Sequence, residues 1–196
     1  MTRNRIEGYH GTTKANAMDI LSQNHFRNST KNNEWLGTGV YFFAYAGHAK
    51  WWCSHARFAN CETVILQAIL EYRQEQLLDL DDPSTLEKVN LFVKTALEHA
   101  DELGLSLGLV EFSSFPKEKR WNFTCNLVRK LIPEIGMITK TFFPNHSTPE
   151  PTRFPCAQRQ ICVSDHGIIM SVSEYKEVSC DESGFGLIPP EIYEFT

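Results

Sequence analysis

Leu36-Gly37-Thr38-Gly39-Val40-Tyr41-Phe42 is the stretch on which the fold turns. Two glycines stand directly before an apolar and aromatic run that continues to Phe43, so residues 39 to 43 read as a β-strand. Upstream, residues 24 to 34 are rich in Asn, Ser and Thr and form a surface loop. Downstream, residues 46 to 59 suit a helix carrying Ala49-Lys50-Trp51-Trp52-Cys53, and residues 63 to 70 read as a largely buried strand.

Further out lies Tyr9-His10-Gly11-Thr12, a His at a strand end followed by a glycine, where the backbone lets a planar ligand come close. The opening reads as a strand over residues 6 to 9 and a turn at Gly11-Thr12-Thr13. A helix follows, with Ala17, Ile20 and Leu21 on one face and Thr12 or Thr13 as its N-cap. Beyond Asp82-Pro83, Ser84 and Glu87 have capping-box spacing, and Leu86, Val89, Val93, Ala96, Leu97 and Ala100 share a helical face. A second helix is expected over 122 to 131, a strand over 137 to 143 and a polar, Pro-broken loop over 144 to 155. Residues 159 to 163 and 168 to 173 read as a strand pair around the tight turn Ser164-Asp165-His166-Gly167. Short strands interspersed with helices make this an α+β domain on mixed or antiparallel sheets, one domain over residues 1 to 196.

Read together, the two glycine motifs and the helix after them resemble the poly(ADP-ribose) polymerase and diphtheria-toxin group, the His-Tyr-Glu class of ADP-ribosyltransferases. In that family a His-Gly-Ser/Thr strand is followed by Gly-x-Gly-Ile/Val-Tyr-Phe and then by a helix with a stacking aromatic. All three occur here in that order, over about residues 6 to 53. The resemblance implies an ADP-ribosyltransferase-like domain with an NAD cleft and NAD as co-substrate. His10 would bind the ribose hydroxyls, the Gly11 backbone would hold the carboxamide, and Thr12 and Gly39 complete the two motifs. Tyr41 and Trp52 would sandwich the nicotinamide, where stacking and cation–π attraction contribute about 0.5–2 kcal/mol per good contact.

The family's third residue is a glutamate that begins a late strand, binds the ribose 2′-hydroxyl and stabilises the ribosyl cation. Here Gln158-Arg159-Gln160-Ile161-Cys162-Val163 offers Gln160 at that place. A carboxamide bonds the hydroxyl but brings neither a negative charge nor a general base. Iterative poly(ADP-ribose) synthesis is therefore not expected. Gln160 is either the third site residue or an ordinary edge-of-sheet glutamine, with Glu150, Glu174 and Glu194 as fallback carboxylates. The expected activity is mono-ADP-ribosylation of a macromolecule, protein or nucleic acid, by a small bacterial toxin or defence enzyme. An antitoxin or chaperone protein is the partner the resemblance implies. Hydrolysis of NAD and an inactive binding module are the alternatives.

Lys117-Glu118-Lys119-Arg120-Trp121-Asn122-Phe123, with Arg129 and Lys130, concentrates five bases against one acid. Bases interleaved with aromatics suit phosphate contacts and base stacking, which makes Lys117, Lys119, Arg120 and Trp121 candidate substrate-binding residues; the alternative is a solvated loop and helix face. The chain of 196 residues otherwise carries 24 acidic against 19 basic side chains, a net charge of -5, so nucleic-acid binding is not its default. Six dispersed cysteines without a CxxC pair imply reduced cytoplasmic thiols. The Cys53, His55 and Cys61 set lacks a fourth ligand at a familiar spacing, so no metal is expected. The N-terminus shows no apolar targeting segment, and no stretch approaches a membrane span.

Overall fold

The computed structural model describes residues 2–31, 34–55, 58–105, 108–143 and 157–176. Strand β1 (Arg3–Thr13) runs straight into helix α1 (Lys14–Gln23). After β2 (Val40–Phe43), α2 (Ala46–Cys53) and β3 (Thr63–Arg73) come β4 (Leu77–Asp79), α3 (Pro83–Glu98), α4 (Leu109–Ser114) and α5 (Lys117–Leu131). Strands β5 (Met137–Phe142), β6 (Gln158–Val163) and β7 (Ile169–Glu174) complete it. The strands form one mixed sheet in the order β4-β5-β6-β2-β1-β3-β7, antiparallel except for the β4–β5 pair. The expected α+β class on a mixed sheet is what the chain adopts.

β1 pairs with β3 along its whole length, from Arg3–Arg73 to Thr13–Thr63. This pairing overturns the expected turn at Gly11-Thr12-Thr13: those residues are strand. Thr13, not Thr12, caps α1, its hydroxyl accepting from the Asn16 N–H at 3.3 Å. Between β1 and β2, by contrast, one residue pair exists, Tyr9 with Phe43. The ladder parts just beyond it, where His10 and Gly11 would otherwise face Phe42 and Tyr41.

The expected hairpin of residues 159 to 173 is not formed either. β6 lies between β5 and β2, whereas β7 lies on the far edge against β3. In a flat sheet those strands would stand about 19 Å apart at the usual spacing of about 4.8 Å. Residues 164 to 168 include the 3₁₀ turn His166–Ile168 and span less than that. The sheet therefore folds over at the parted β1–β2 junction. The apolar face of β4-β5-β6-β2 then meets that of β1-β3-β7. One core cluster accordingly unites Val40, Phe42, Met137, Ile161 and Val163 with Leu66, Ala68, Leu70 and Tyr72, together with Ala17 and Ile20 of α1. A second cluster holds α3 and α5 on the outer face of the first half, through Val89, Val93, Ala96, Leu97, Leu127 and Val128 against Ile138, Phe142 and Cys162.

Helix α3 starts as its sequence requires, with Pro83 in the first turn. Its cap is the Asp82 carboxylate, which accepts from Ser84 and Thr85 N–H, rather than the expected Ser84–Glu87 box. Leu86 of its expected apolar face is exposed. Helix α2 stops at Cys53, short of the expected residue 59, and α5 begins at Lys117 rather than residue 122. No helix among the described residues is long and apolar enough to cross a membrane.

Candidate functional site

Of the predicted residues, the parted junction brings His10 against the Tyr41 backbone and Gly11 against α2. His10 lies half-buried on the inner side of β1, its ring edge-on to Phe26 at 5.3 Å and to Phe42 at 5.9 Å. Its Nδ1 stands 2.7 Å from the Tyr41 carbonyl oxygen, which bridges the gap between strands whose ladder has ended. A carbonyl only accepts, so Nδ1 carries the hydrogen and, in the neutral ring, Nε2 presents a lone pair.

Gly11 faces the other way, onto α2. A Cβ there would lie 2.7 Å from both the Ala49 carbonyl oxygen and Cys53 Sγ, and 3.4 Å from Trp52 Cδ1. Only glycine lets the helix sit this close, and that approach brings the Trp52 ring beside the β1 backbone. Thr12 is buried, with its hydroxyl 3.5 Å from Asn16 Nδ2. That contact serves the start of α1. Gly39 likewise serves packing: a Cβ would meet Cys162 Sγ and the Val163 carbonyl at 2.7 Å, so glycine lets β2 begin tight against β6.

Tyr41 is half-buried against the outer core. Its hydroxyl donates to the Gly37 carbonyl at 2.7 Å and accepts from the Leu36 N–H at 2.9 Å, and burial raises its pKa far above the tyrosine range. The phenol stays neutral, so what Tyr41 offers a ligand is its ring, not a proton. Trp52 is half-buried and tilted against Phe43, with centroids 6.2 Å apart. Gln160 stands directly opposite Phe43 in the β2–β6 ladder, and Tyr41 opposite Cys162. Paired residues share a face, so Tyr41, Phe43 and Gln160 line one side of the sheet, with Gln160 diagonal to Tyr41.

Phe43 and His48, which the sequence reading does not single out, pack beside Trp52. Phe43 follows Tyr41 at the strand period of two. His48 precedes Trp52 by one helical turn, and both rings pack toward Phe43, His48 with centroids 6.1 Å apart. Among the fallback carboxylates, Glu174 is exposed on β7, two strands from His10, while Glu150 and Glu194 lie outside the described residues. His55 turns its Nδ1 to the Trp51 and Trp52 carbonyls, at 3.2 and 3.0 Å.

Helix α5 behaves differently from its reading as a basic face. Asn122, Asn126 and Arg129, spaced one turn apart, point at the loop before β2. Asn122 Nδ2 donates to the Lys31 and Glu34 carbonyls, and Asn126 Oδ1 accepts from the Thr38 N–H at 2.9 Å. Arg129 donates to the Leu36, Thr38 and Cys162 carbonyls. Arg129 is thus a brace for the glycine loop, and Gly37, at φ 79°, fits beside Asn126 where a side chain would not. Lys117, Lys119 and Arg120 remain exposed on the first turn. Lys117 lies near Glu118 and over Trp121, and Lys119 lies 3.6 Å from the Phe115 ring. Trp121 itself packs against Trp35 and Phe142.

A separate cleft of about 380 Å³ opens beside Ala44 and Tyr45, lined by Ile6, Tyr72, Met137 and Arg159, and contains none of the predicted site residues. No family model, no curated protein and no solved structure matches this chain.

Proposed function

We propose that this chain is an NAD-dependent mono-ADP-ribosyltransferase, which transfers ADP-ribose from NAD to a macromolecular acceptor and releases nicotinamide. The observation that carries this reading is the parting of β1 from β2 at His10 and Gly11, bridged by the His10–Tyr41 hydrogen bond. Nicotinamide would enter between Trp52 and Tyr41, its carboxamide on the Gly11 backbone and the adjoining ribose at the His10 ring. The glycosidic bond breaks with its electron pair leaving on nicotinamide, and the flanking rings stabilise the cationic ring before departure. Gln160, diagonal to Tyr41, is suited to hold the 2′-hydroxyl but not to drive chain extension. The setting we propose is the bacterial cytoplasm, as a toxin or defence enzyme restrained by an antitoxin or chaperone protein.

NAD labelled in its adenylate half tests this. Label fixed to protein, RNA or DNA supports transfer and identifies the acceptor class. Label recovered wholly as free ADP-ribose replaces the reading with NAD hydrolysis, and recovery of intact NAD replaces it with a binding module.

A further inference from the structure

The cleft beside Ala44 and Tyr45 lies apart from the proposed nicotinamide slot. It opens between the inner faces of the two half-sheets: Ile6 and Tyr72 come from β1 and β3, and Leu77, Met137 and Ile161 from β4, β5 and β6. Met137 and Ile161 are fully buried core residues, whereas Ile6, Ala44 and Leu77 are only half-buried against the same core. The apolar core thus reaches the surface here, in a hollow of about 380 Å³, a size that admits a small molecule.

The two sides of the cleft differ in charge. On one side Arg159 is already engaged. Its Nη2 donates to Asp79 Oδ2 at 2.9 Å and to Thr139 Oγ1 at 3.2 Å, and its Nη1 lies 3.7 Å from Asp81, which Lys140 also reaches at 3.0 Å. Two acids meet two bases, so that side carries no net charge. Glu7, at the β1 rim, is not balanced in this way: among the described residues it has no ion-pair partner, and its carboxylate holds the Tyr9 hydroxyl, a neutral donor, at 2.7 Å. Tyr45 completes the rim, 66% exposed and set edge-to-face with His48, centroids 5.8 Å apart.

An aromatic ring and an unbalanced carboxylate above an apolar floor recognise a cation carried on a flat apolar body. We infer that this cleft binds a small molecule of that class, a protonated amine or amidinium on an aromatic body, with the cation between Glu7 and the Tyr45 ring and the body on Met137 and Ile161. An anionic ligand is disfavoured, since Glu7 repels it and Arg159 is neutralised by its own carboxylates.

The test is amide NMR of the full chain titrated with benzylamine, and with benzyl alcohol and benzoate as its neutral and anionic counterparts. Benzylamine is expected to shift the signals of Glu7, Tyr45 and Thr139 and to bind at least about threefold more tightly than benzyl alcohol, with benzoate weakest. Glu7→Gln should abolish the preference for the amine, and Tyr45→Leu, which keeps an apolar contact, should reduce it. Both positions are exposed, so both variants should fold, which circular dichroism checks. The inference is overturned if benzylamine shifts no cleft signal, if benzoate binds as well as benzylamine, or if Glu7→Gln retains the preference. No NAD enters this experiment, so the transferase reading stands or falls separately.

Discussion

Replacing Gly11 with alanine probes the contact that seats α2 on the sheet. The added Cβ would start 2.7 Å from Ala49 O and Cys53 Sγ, and ordinary contact needs about 3.4 Å or more, so the helix must retreat by about 0.7 Å. Cys53 Sγ swings aside on its rotamer, but the Ala49 oxygen is backbone at a fully buried residue and moves only with the helix. Overpacking of this kind costs about 1–3 kcal/mol, or a loss of about 2–12 °C in Tm for a chain of this size. The variant should therefore remain folded. Its Trp52 ring is carried off with α2, and if Trp52 walls the proposed nicotinamide slot, a displacement approaching 1 Å weakens turnover by up to about 10²-fold. Thermal melting followed by circular dichroism, with NAD titration of the same sample, measures both. Unchanged Tm and NAD affinity in Gly11→Ala would refute the close seating of α2; a Cys53→Ala background that rescues fully would show that the thiol, not the helix backbone, is the obstacle.

Three further predictions follow from the same geometry. Trp52→Ala and His10→Ala should each fold yet lose NAD turnover, the latter by about 10²-fold or more, and wild-type kinetics in either assigns that residue to packing alone. Asp81 is partly buried, which raises its pKa, but bonds from the Thr141 N–H and hydroxyl and from Lys140 outweigh this and hold it below the usual carboxylate value. Its stabilisation is complete above the unfolded carboxyl pKa of about 3.9 and disappears as pH falls through the lower folded value. Tm should thus drop steeply below about pH 4 in wild type and less steeply in Asp81→Asn, and parallel pH profiles would discard that link. If a nucleic acid is the acceptor, Lys117→Ala, Lys119→Ala and Arg120→Ala together should impair its labelling and flatten the log affinity–log salt slope by about 0.7–0.9 per lost contact. Unaltered labelling and slope make the segment a solvated surface.

How far the sequence spoke depended on how local each signal was. The β2 strand, the helix after it and the capped α3 are written in neighbouring residues, and all three formed. The β6–β7 hairpin failed because a short spacer with Asp, His and Gly looks the same in a turn and in a crossover between two halves of a folded-over sheet. Only long-range pairing, β6 with β2 and β7 with β3, tells them apart. Asn122 and Arg129 were read within a basic segment or solvated helix face because helical spacing does not say whether a polar stripe meets water or a loop. The bare carbonyls of the glycine loop decided it. At the site, His10, Gly11 and Trp52 were legible as motif positions. The packing of Phe43 and His48 beside Trp52 was not, since it comes from register and from the orientation of α2 on β1.

The proposed slot of His10, Gly11, Tyr41 and Trp52 is where NAD would lose its nicotinamide. Release of labelled nicotinamide from ring-labelled NAD by the purified full chain measures this without knowledge of the acceptor. Wild type should release nicotinamide at a rate that falls by about 10²-fold in His10→Ala and is likewise depressed in Trp52→Ala. Release at the background rate by wild type, or equal release by all three proteins, would contradict it.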